Sequence, residues 1–137
     1  MPLARSAGAG VVLVVDDEPC VLNCVCAMLE RSGFGVLRAA SGDEALQIGA
    51  GRNDPIDLLL ADVVMPGLSG PSLAERFTRL HPETQWLFMA GLPDQPEVSE
   101  RIASRGHAFL PKPFLPDALI RKVREVLAAR QDVPAPL

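Results

Sequence analysis

Apolar side chains are distributed along the chain in short unbroken runs that alternate with longer stretches of helical spacing. Val11 to Val15 (VVLVV), Asp57 to Ala61 (DLLLA) and Gln85 to Ala90 (QWLFMA) are continuous and rich in β-branched or large aliphatic residues. That is how a parallel strand buried on both faces reads. Two shorter candidates, Val36 to Ala40 and His107 to Leu110, complete five expected strands. Between them the period changes. After Pro19, Val21, Val25, Met28 and Leu29 recur at helical spacing, and Gly33 stands where a left-handed C-cap belongs. Ser41 with Glu44 forms a capping box ahead of Ala45, Leu46 and Ile48. Pro71 suits the first turn of a helix carrying Leu73, Ala74, Phe77 and Leu80. A short helix is expected over 97–105, closed by Gly106, after a loop from Gly91 to Pro96. Pro116 opens a last one with Leu119, Ile120, Val123, Val126 and Leu127 on one face.

Five strands alternating with five helices predict an α/β fold, a doubly wound parallel sheet covered on both faces through right-handed crossovers. Such sheets bind ligands beyond the carboxyl ends of their strands. The residues that directly follow the strands therefore become the candidates for chemistry.

The chain has 137 residues, the length of one domain, and 48% of them are apolar against 22% charged, enough to bury a core. Residues 1–10 are expected to be a flexible leader, 11–130 the folded domain and 131–137 a disordered tail. A net charge of −4 argues against a chain that works by neutralising phosphates along a nucleic acid. No segment approaches the roughly 20 apolar residues of a membrane span, and the N-terminus does not read as a signal peptide, so a cytoplasmic location is the expectation. Cys20, Cys24 and Cys26 cannot all pair within one chain and are read as small packing side chains. His81 and His107 follow no metal-ligand spacing, and His81, before Pro82, is read as a turn residue.

Four residues at the expected strand ends carry charge: Asp16, Asp17, Asp62 and Lys112. Carboxylates gathered at one rim repel unless a cation neutralises them. With oxygen donors only, the matching ion is hard, magnesium before zinc. A carboxylate beside that metal, with an ammonium nearby, can act as a nucleophile toward a phosphoryl group. Sequence signatures of other enzymes are absent: there is no GxxxxGK[ST], HExxH or GxSxG.

The acidic pair in VVLVVDDEP, the segment DLLLADVVMPGLSG and the KPF of Lys112 to Phe114 together resemble the receiver domain of two-component response regulators, over residues 11 to 128. LFMAGLPD and FLPKPFLPDALIRKVREVLA resemble in particular the C-terminal receivers of hybrid sensor kinases. The resemblance implies a flavodoxin-like sheet of order 2-1-3-4-5. It implies that Asp62 accepts a phosphoryl group from a histidine kinase or phosphotransfer protein. Mg2+ would be held by Asp17, Asp62, the backbone carbonyl of Val64, and Asp16 through water. Lys112 would pair with phosphoryl oxygens across a cis Lys112–Pro113 peptide, and Phe109 would be the aromatic of the fifth strand that turns inward on activation. The implied role is signalling, not metabolic catalysis, with the domain assisting its own phosphoryl transfer and dephosphorylation. Output would pass to a protein partner on the face of the 97–105 helix, the fifth strand and the last helix. Direct nucleic-acid or membrane contact is not implied, and the chain would be a monomer or weak homodimer.

One position departs from the pattern. Receivers carry Thr or Ser at the end of the fourth strand, and here that position is Ala90, followed two residues later by the apolar Leu92. The alternative reading is accordingly a phosphate sink or a phosphorylation-independent interaction module with a weakened switch. A flavin-binding protein of similar topology is disfavoured, because DDEP would repel a phosphate where such a protein carries its phosphate-binding loop.

Overall fold

The computed structural model describes residues 10–91, 108–112 and 114–132. Along the chain run β1 (Val11–Val15), α1 (Pro19–Arg31), β2 (Gly35–Ala39), α2 (Gly42–Ala50), β3 (Leu58–Asp62), α3 (Gly70–Leu80), β4 (Gln85–Gly91), β5 (Ala108–Lys112) and α4 (Pro116–Asp132). The five strands form one parallel sheet in the order β2-β1-β3-β4-β5. Residues 1–9 of the expected leader, Leu92, the helix expected over 97–105, His107, the Lys112–Pro113 peptide and the last five residues lie outside the described residues.

Every residue of β1 and β3 is buried, as their unbroken apolar runs require. Alternation along the strands divides the core in two. Leu13, Val15, Leu59, Ala61, Phe88 and Ala90 face Ala45 of α2 and Leu73, Ala74 and Phe77 of α3. Val12, Val14, Leu58, Leu60, Leu87, Met89 and Leu110 face Leu22, Val25, Cys26 and Leu29 of α1 and Leu119 and Val123 of α4.

The helix ends follow the expected chemistry. Gly33 has φ +93°, the Gly33 amide donates to the Glu30 carbonyl at 3.1 Å, and that of Phe34 to the Leu29 carbonyl at 3.1 Å. These two bonds make a Schellman cap on α1. The Ser41 hydroxyl accepts from the Glu44 amide at 3.1 Å, while the Glu44 carboxylate reaches back to the Ala40 amide at 2.7 Å, one residue earlier than an ideal capping box.

Several expectations are corrected. The inward stripe of α1 is Leu22, Val25, Cys26 and Leu29, whereas Val21 and Met28 only flank it. Cys20 and Cys24 are exposed, so Cys26 alone of the three packs in the core. Leu80 at the end of α3 is 44% exposed and lies outside the core. His81 is more than a turn residue: it caps α3, stacks on Phe77 at 5.3 Å, and places its ring nitrogens 2.9 Å from the Gly49 carbonyl and 3.1 Å from Glu83. The helix α4 continues to Asp132, two residues past the expected domain boundary. No described helix is long and apolar enough to cross a membrane.

Candidate functional site

Two strands end on the charged residues themselves. Asp62 is the last residue of β3 and Lys112 the last of β5, each inside its strand where the sequence had placed them just beyond. Asp62 pairs with Met89, and Lys112 with Gly91, so both are held by the parallel ladder. Asp16 follows β1 directly, with its amide donating to the Ala39 carbonyl at 3.2 Å. By strand alternation Asp62 shares a face with Leu58 and Leu60, Lys112 shares it with Leu110, and Asp16 continues the series of Val12 and Val14. Three elements far apart in sequence thus aim one anion, one cation and a second anion at the same rim.

The Lys112 ammonium donates to Asp16 Oδ2 at 3.0 Å and to Asp62 Oδ2 at 2.9 Å. The second oxygen of each carboxylate is engaged locally: Asp16 Oδ1 accepts from the Glu18 amide at 2.9 Å, and Asp62 Oδ1 from the Val64 amide at 3.2 Å. The Asp16 side chain is fully buried, that of Asp62 is 13% exposed, and Asp17 faces solvent. One ligand oxygen from each of Asp16, Asp17 and Asp62 lies within 4.8 Å of the others.

The charge balance accounts for the titration of the pair. Burial pushes the Asp62 carboxyl up, Lys112 pulls it down through its hydrogen bond and charge, Asp16 pushes it up again, and the net direction is upward. For Lys112, burial works against the charge, but the hydrogen bonds and charges of Asp62 and then Asp16 outweigh it, and its ammonium titrates above the ordinary lysine range. A pair of opposite charges ordinarily moves its two partners in opposite directions. Here both move up because burial of the Asp62 carboxyl outweighs the pull of Lys112, with the Asp16 charge adding to it, while the one ammonium is held charged by two carboxylates. The ammonium, placed between two carboxylates, is held in its charged form.

The remaining expected residues sit around this centre. Val64 is 50% exposed in the segment after β3. Ala90 is 1% exposed and belongs to the core layer facing α2 and α3, on the opposite side of the sheet from the Asp62 side chain. Phe109 is half-buried against that same layer, and its β4 partner is Phe88. Two residues that the sequence reading passed over also belong here. Gly70 begins α3 with its amide donating to the Val63 carbonyl at 2.9 Å, and Gly42 begins α2 beneath Leu68. The one local signal was a glycine directly before the helix-opening Pro71, since the contacts themselves arise only in the folded chain.

A family model described as the response regulator receiver domain matches residues 12–124. The sensor kinase CckA of Brucella abortus is 35% identical over 121 residues, which is 88% of this chain and 13% of that protein. Protein PilH of Pseudomonas aeruginosa is 28% identical over 120 residues, 85% of this chain and 97% of that one. Among solved structures, a receiver domain from the hybrid histidine kinase CckA superposes with a TM-score of 0.71 at 33% identity, covering 86% of this chain and 99% of that one. A receiver domain protein from Clostridium thermocellum gives a TM-score of 0.79 at 25% identity, covering 89% and 97%. The chain spans 13% of the CckA kinase and 47% of the transcriptional regulatory protein YrkP of Bacillus subtilis, to which it is also similar.

Proposed function

Because this chain belongs to the response regulator receiver family, we propose that Asp62 is its phosphoryl acceptor in a two-component phosphorelay, and that Mg2+ is held beside it. The observation that carries the reading is the Lys112 ammonium bridging Asp16 and Asp62 at 3.0 and 2.9 Å, with Asp17 at the same rim.

The donor set fits the ion. Opposite ligands of an octahedral Mg2+ stand about 4.2 Å apart, twice a metal–oxygen distance of roughly 2.1 Å. Adjacent ligands stand about 3.0 Å apart, so carboxylate oxygens within 4.8 Å of one another have to draw together around the ion, or to leave one position to water. Asp17 and Asp62 would be direct ligands with the Val64 carbonyl, and buried Asp16, already bound to Lys112 and the Glu18 amide, would act through water. When bound, the ion supplies positive charge beside the transferring phosphoryl oxygens.

The protein's own groups do the rest. An ionised Asp62 oxygen forms a bond to phosphorus as the nitrogen–phosphorus bond of a phosphohistidine breaks, and the leaving imidazole takes its proton from water. The product is an acyl phosphate. Lys112, held charged at the rim, exchanges a carboxylate oxygen for a phosphoryl oxygen and stays paired throughout. The domain in this reading is a signalling acceptor that assists its own transfer and dephosphorylation. The donor is a histidine kinase or phosphotransfer protein, and a protein partner reads the result on the face that includes β5 and α4. Direct DNA binding has no part in it, the domain acts in the cytoplasm as a monomer or weak homodimer, and the net charge of −4 favours protein over nucleic-acid contacts.

The buried Ala90 supports a second reading, a phosphate sink that accepts the group without a full conformational response. Both readings meet one experiment: incubation with acetyl phosphate and Mg2+, intact mass, and small-angle scattering. Wild type should gain one phosphoryl group and Asp62→Asn none. Uptake with a change of shape supports a switch, uptake without one supports the sink, and no uptake by wild type removes both.

A further inference from the structure

The segment between β3 and α3 folds back tightly on itself. Its start extends the sheet, the Val63 amide donating to the Met89 carbonyl at 2.8 Å, and the Val64 amide is tied to Asp62 Oδ1 at 3.2 Å. Val63 and Met65 are buried in the α2/α3 layer while Val64 between them is exposed. Gly67 turns the chain with φ +81°, and the Gly70 amide closes the loop on the Val63 carbonyl at 2.9 Å.

This closure leaves no room for a side chain at Gly70. A Cβ there would collide with the Asp62 carbonyl oxygen and stand 3.1 Å from both the Asp62 carbonyl carbon and Val63 Cα. These are backbone atoms, which cannot rotate away. Gly70 does not have a positive φ, so it is the space and not the conformation that demands glycine. The other end of the segment is seated in the same manner. A Cβ at Gly42, in the first turn of α2, would meet Leu68 Cβ and Cδ2 at 2.9 Å.

We propose that Gly70 and Gly42 are positioning residues: by letting α3 close on the Asp62 peptide and Leu68 seat on α2, they set the Val64 carbonyl and the Asp62 carboxylate at the separation a shared divalent cation needs. The inference rests on the proposed metal site and adds two residues that do not touch the metal. Groups that orient metal ligands from behind typically change affinity by about 10- to 100-fold when altered.

Mg2+ alone is the probe, titrated into each variant while the amide resonances of residues 63–69 are followed, with urea unfolding in parallel. Gly70→Ala should bind Mg2+ at least about tenfold more weakly while still unfolding cooperatively. Gly42→Ala should also weaken binding, and adding Leu68→Gly in that background, which removes all the colliding side-chain atoms, should restore it. A merely structural role predicts the opposite for the double variant, which loses further packing and should bind no better. Wild-type affinity in Gly70→Ala, or no recovery in the double variant, overturns the proposal. If Gly70→Ala fails to fold, the Gly42/Leu68 pair decides. A wild-type chain that binds no Mg2+ removes the metal site and this inference together. Wild-type binding that is lost in Asp17→Asn and Asp62→Asn, yet unchanged in the glycine variants, removes this inference alone.

Discussion

Replacing Lys112 by Met keeps the length of its stem and deletes the one charge that serves both Asp16 and Asp62. The Asp16 side chain is fully buried and that of Asp62 is 13% exposed, so water cannot take over the role of the ammonium at Asp16. Breaking a buried ion pair by removing one partner costs about 3–5 kcal/mol. Here the carboxylates also keep the Glu18 and Val64 amides, and Asp62 has an outlet in protonation because its carboxyl already titrates high. The expected loss in metal-free buffer at pH 7 is therefore at or just below the low end of that range, about 2–3 kcal/mol. The sign with pH follows from the same groups. A carboxyl whose folded titration lies above its unfolded one gives stability that is present below the unfolded pKa and lost as pH rises through the folded value. Removing Lys112 raises the folded value further, so the deficit of the variant is greatest at neutral pH and shrinks as pH falls. Mg2+ supplies the missing positive charge and should stabilise Lys112→Met by more than it stabilises wild type. Urea unfolding followed by far-ultraviolet circular dichroism, at pH 7 and pH 5 with chelator or Mg2+, measures all three effects. Equal stability of the two proteins at pH 7, with equal gains from Mg2+, would show that the ammonium does not balance the carboxylates.

Because Asp62 titrates high, protons compete with the cation there: Mg2+ affinity in calorimetric titrations should fall as pH drops through its titration, and Asp62→Asn should bind weakly with a flatter pH profile. In the absence of metal at pH 7, Asp62→Asn should be more stable than wild type, an advantage that disappears once the wild-type carboxyl is protonated; lower stability of Asn at pH 7 would contradict the raised titration. Ala90→Thr should leave phosphoryl uptake unchanged, enlarge the scattering response, and cost about 1–3 kcal/mol of stability, since the site is packed to 1% exposure. An unchanged response would remove the reading of that position. A thiol reagent should modify Cys20 and Cys24 quickly and Cys26 only on unfolding; a single fast thiol would contradict the exposure of the pair.

The strand–helix alternation was legible because β1 and β3 are buried on both faces, which leaves unbroken apolar runs in the sequence. The caps at Ser41 and Gly33 were legible because their chemistry is local. Where boundaries slipped, a polar residue or a proline hid the end of a strand. Pro111 reads as a stop, yet among the described residues β5 is an edge strand paired only with β4, and a proline is tolerated there when its ladder bond is not needed. The face of α1 was ambiguous because Val21, Leu22, Val25, Cys26, Met28 and Leu29 cover more than one stripe, and only the neighbouring sheet and α4 choose among them. At the site, the adjacent acids Asp16 and Asp17 are alike in sequence but opposite in burial. The steric demands at Gly42 and Gly70 come from segments brought together by folding, and no local pattern announces them.

On the proposed reading, the sheet separates acceptance of the phosphoryl group from its consequences. Asp62 and Lys112 emerge on the α1/α4 side, whereas Ala90 and Phe109 pack toward α2 and α3. A hydroxyl missing at Ala90 removes none of the hydrogen bonds that join the three charged side chains to one another and to the Glu18 and Val64 amides. On that reading the loss falls on the phosphorylated state. A hydrogen bond to a charged group contributes about 1.5–3 kcal/mol, whereas turning a two-state equilibrium from 1:99 to 99:1 takes about 5.5 kcal/mol. On the proposed reading, Ala90 forfeits roughly a quarter to a half of the bias that a complete switch requires. The remainder must come from Lys112, the cation and the segment between β3 and α3. These groups move a population part of the way, so the domain should respond to phosphorylation in proportion to how near its unmodified form already stands to balance.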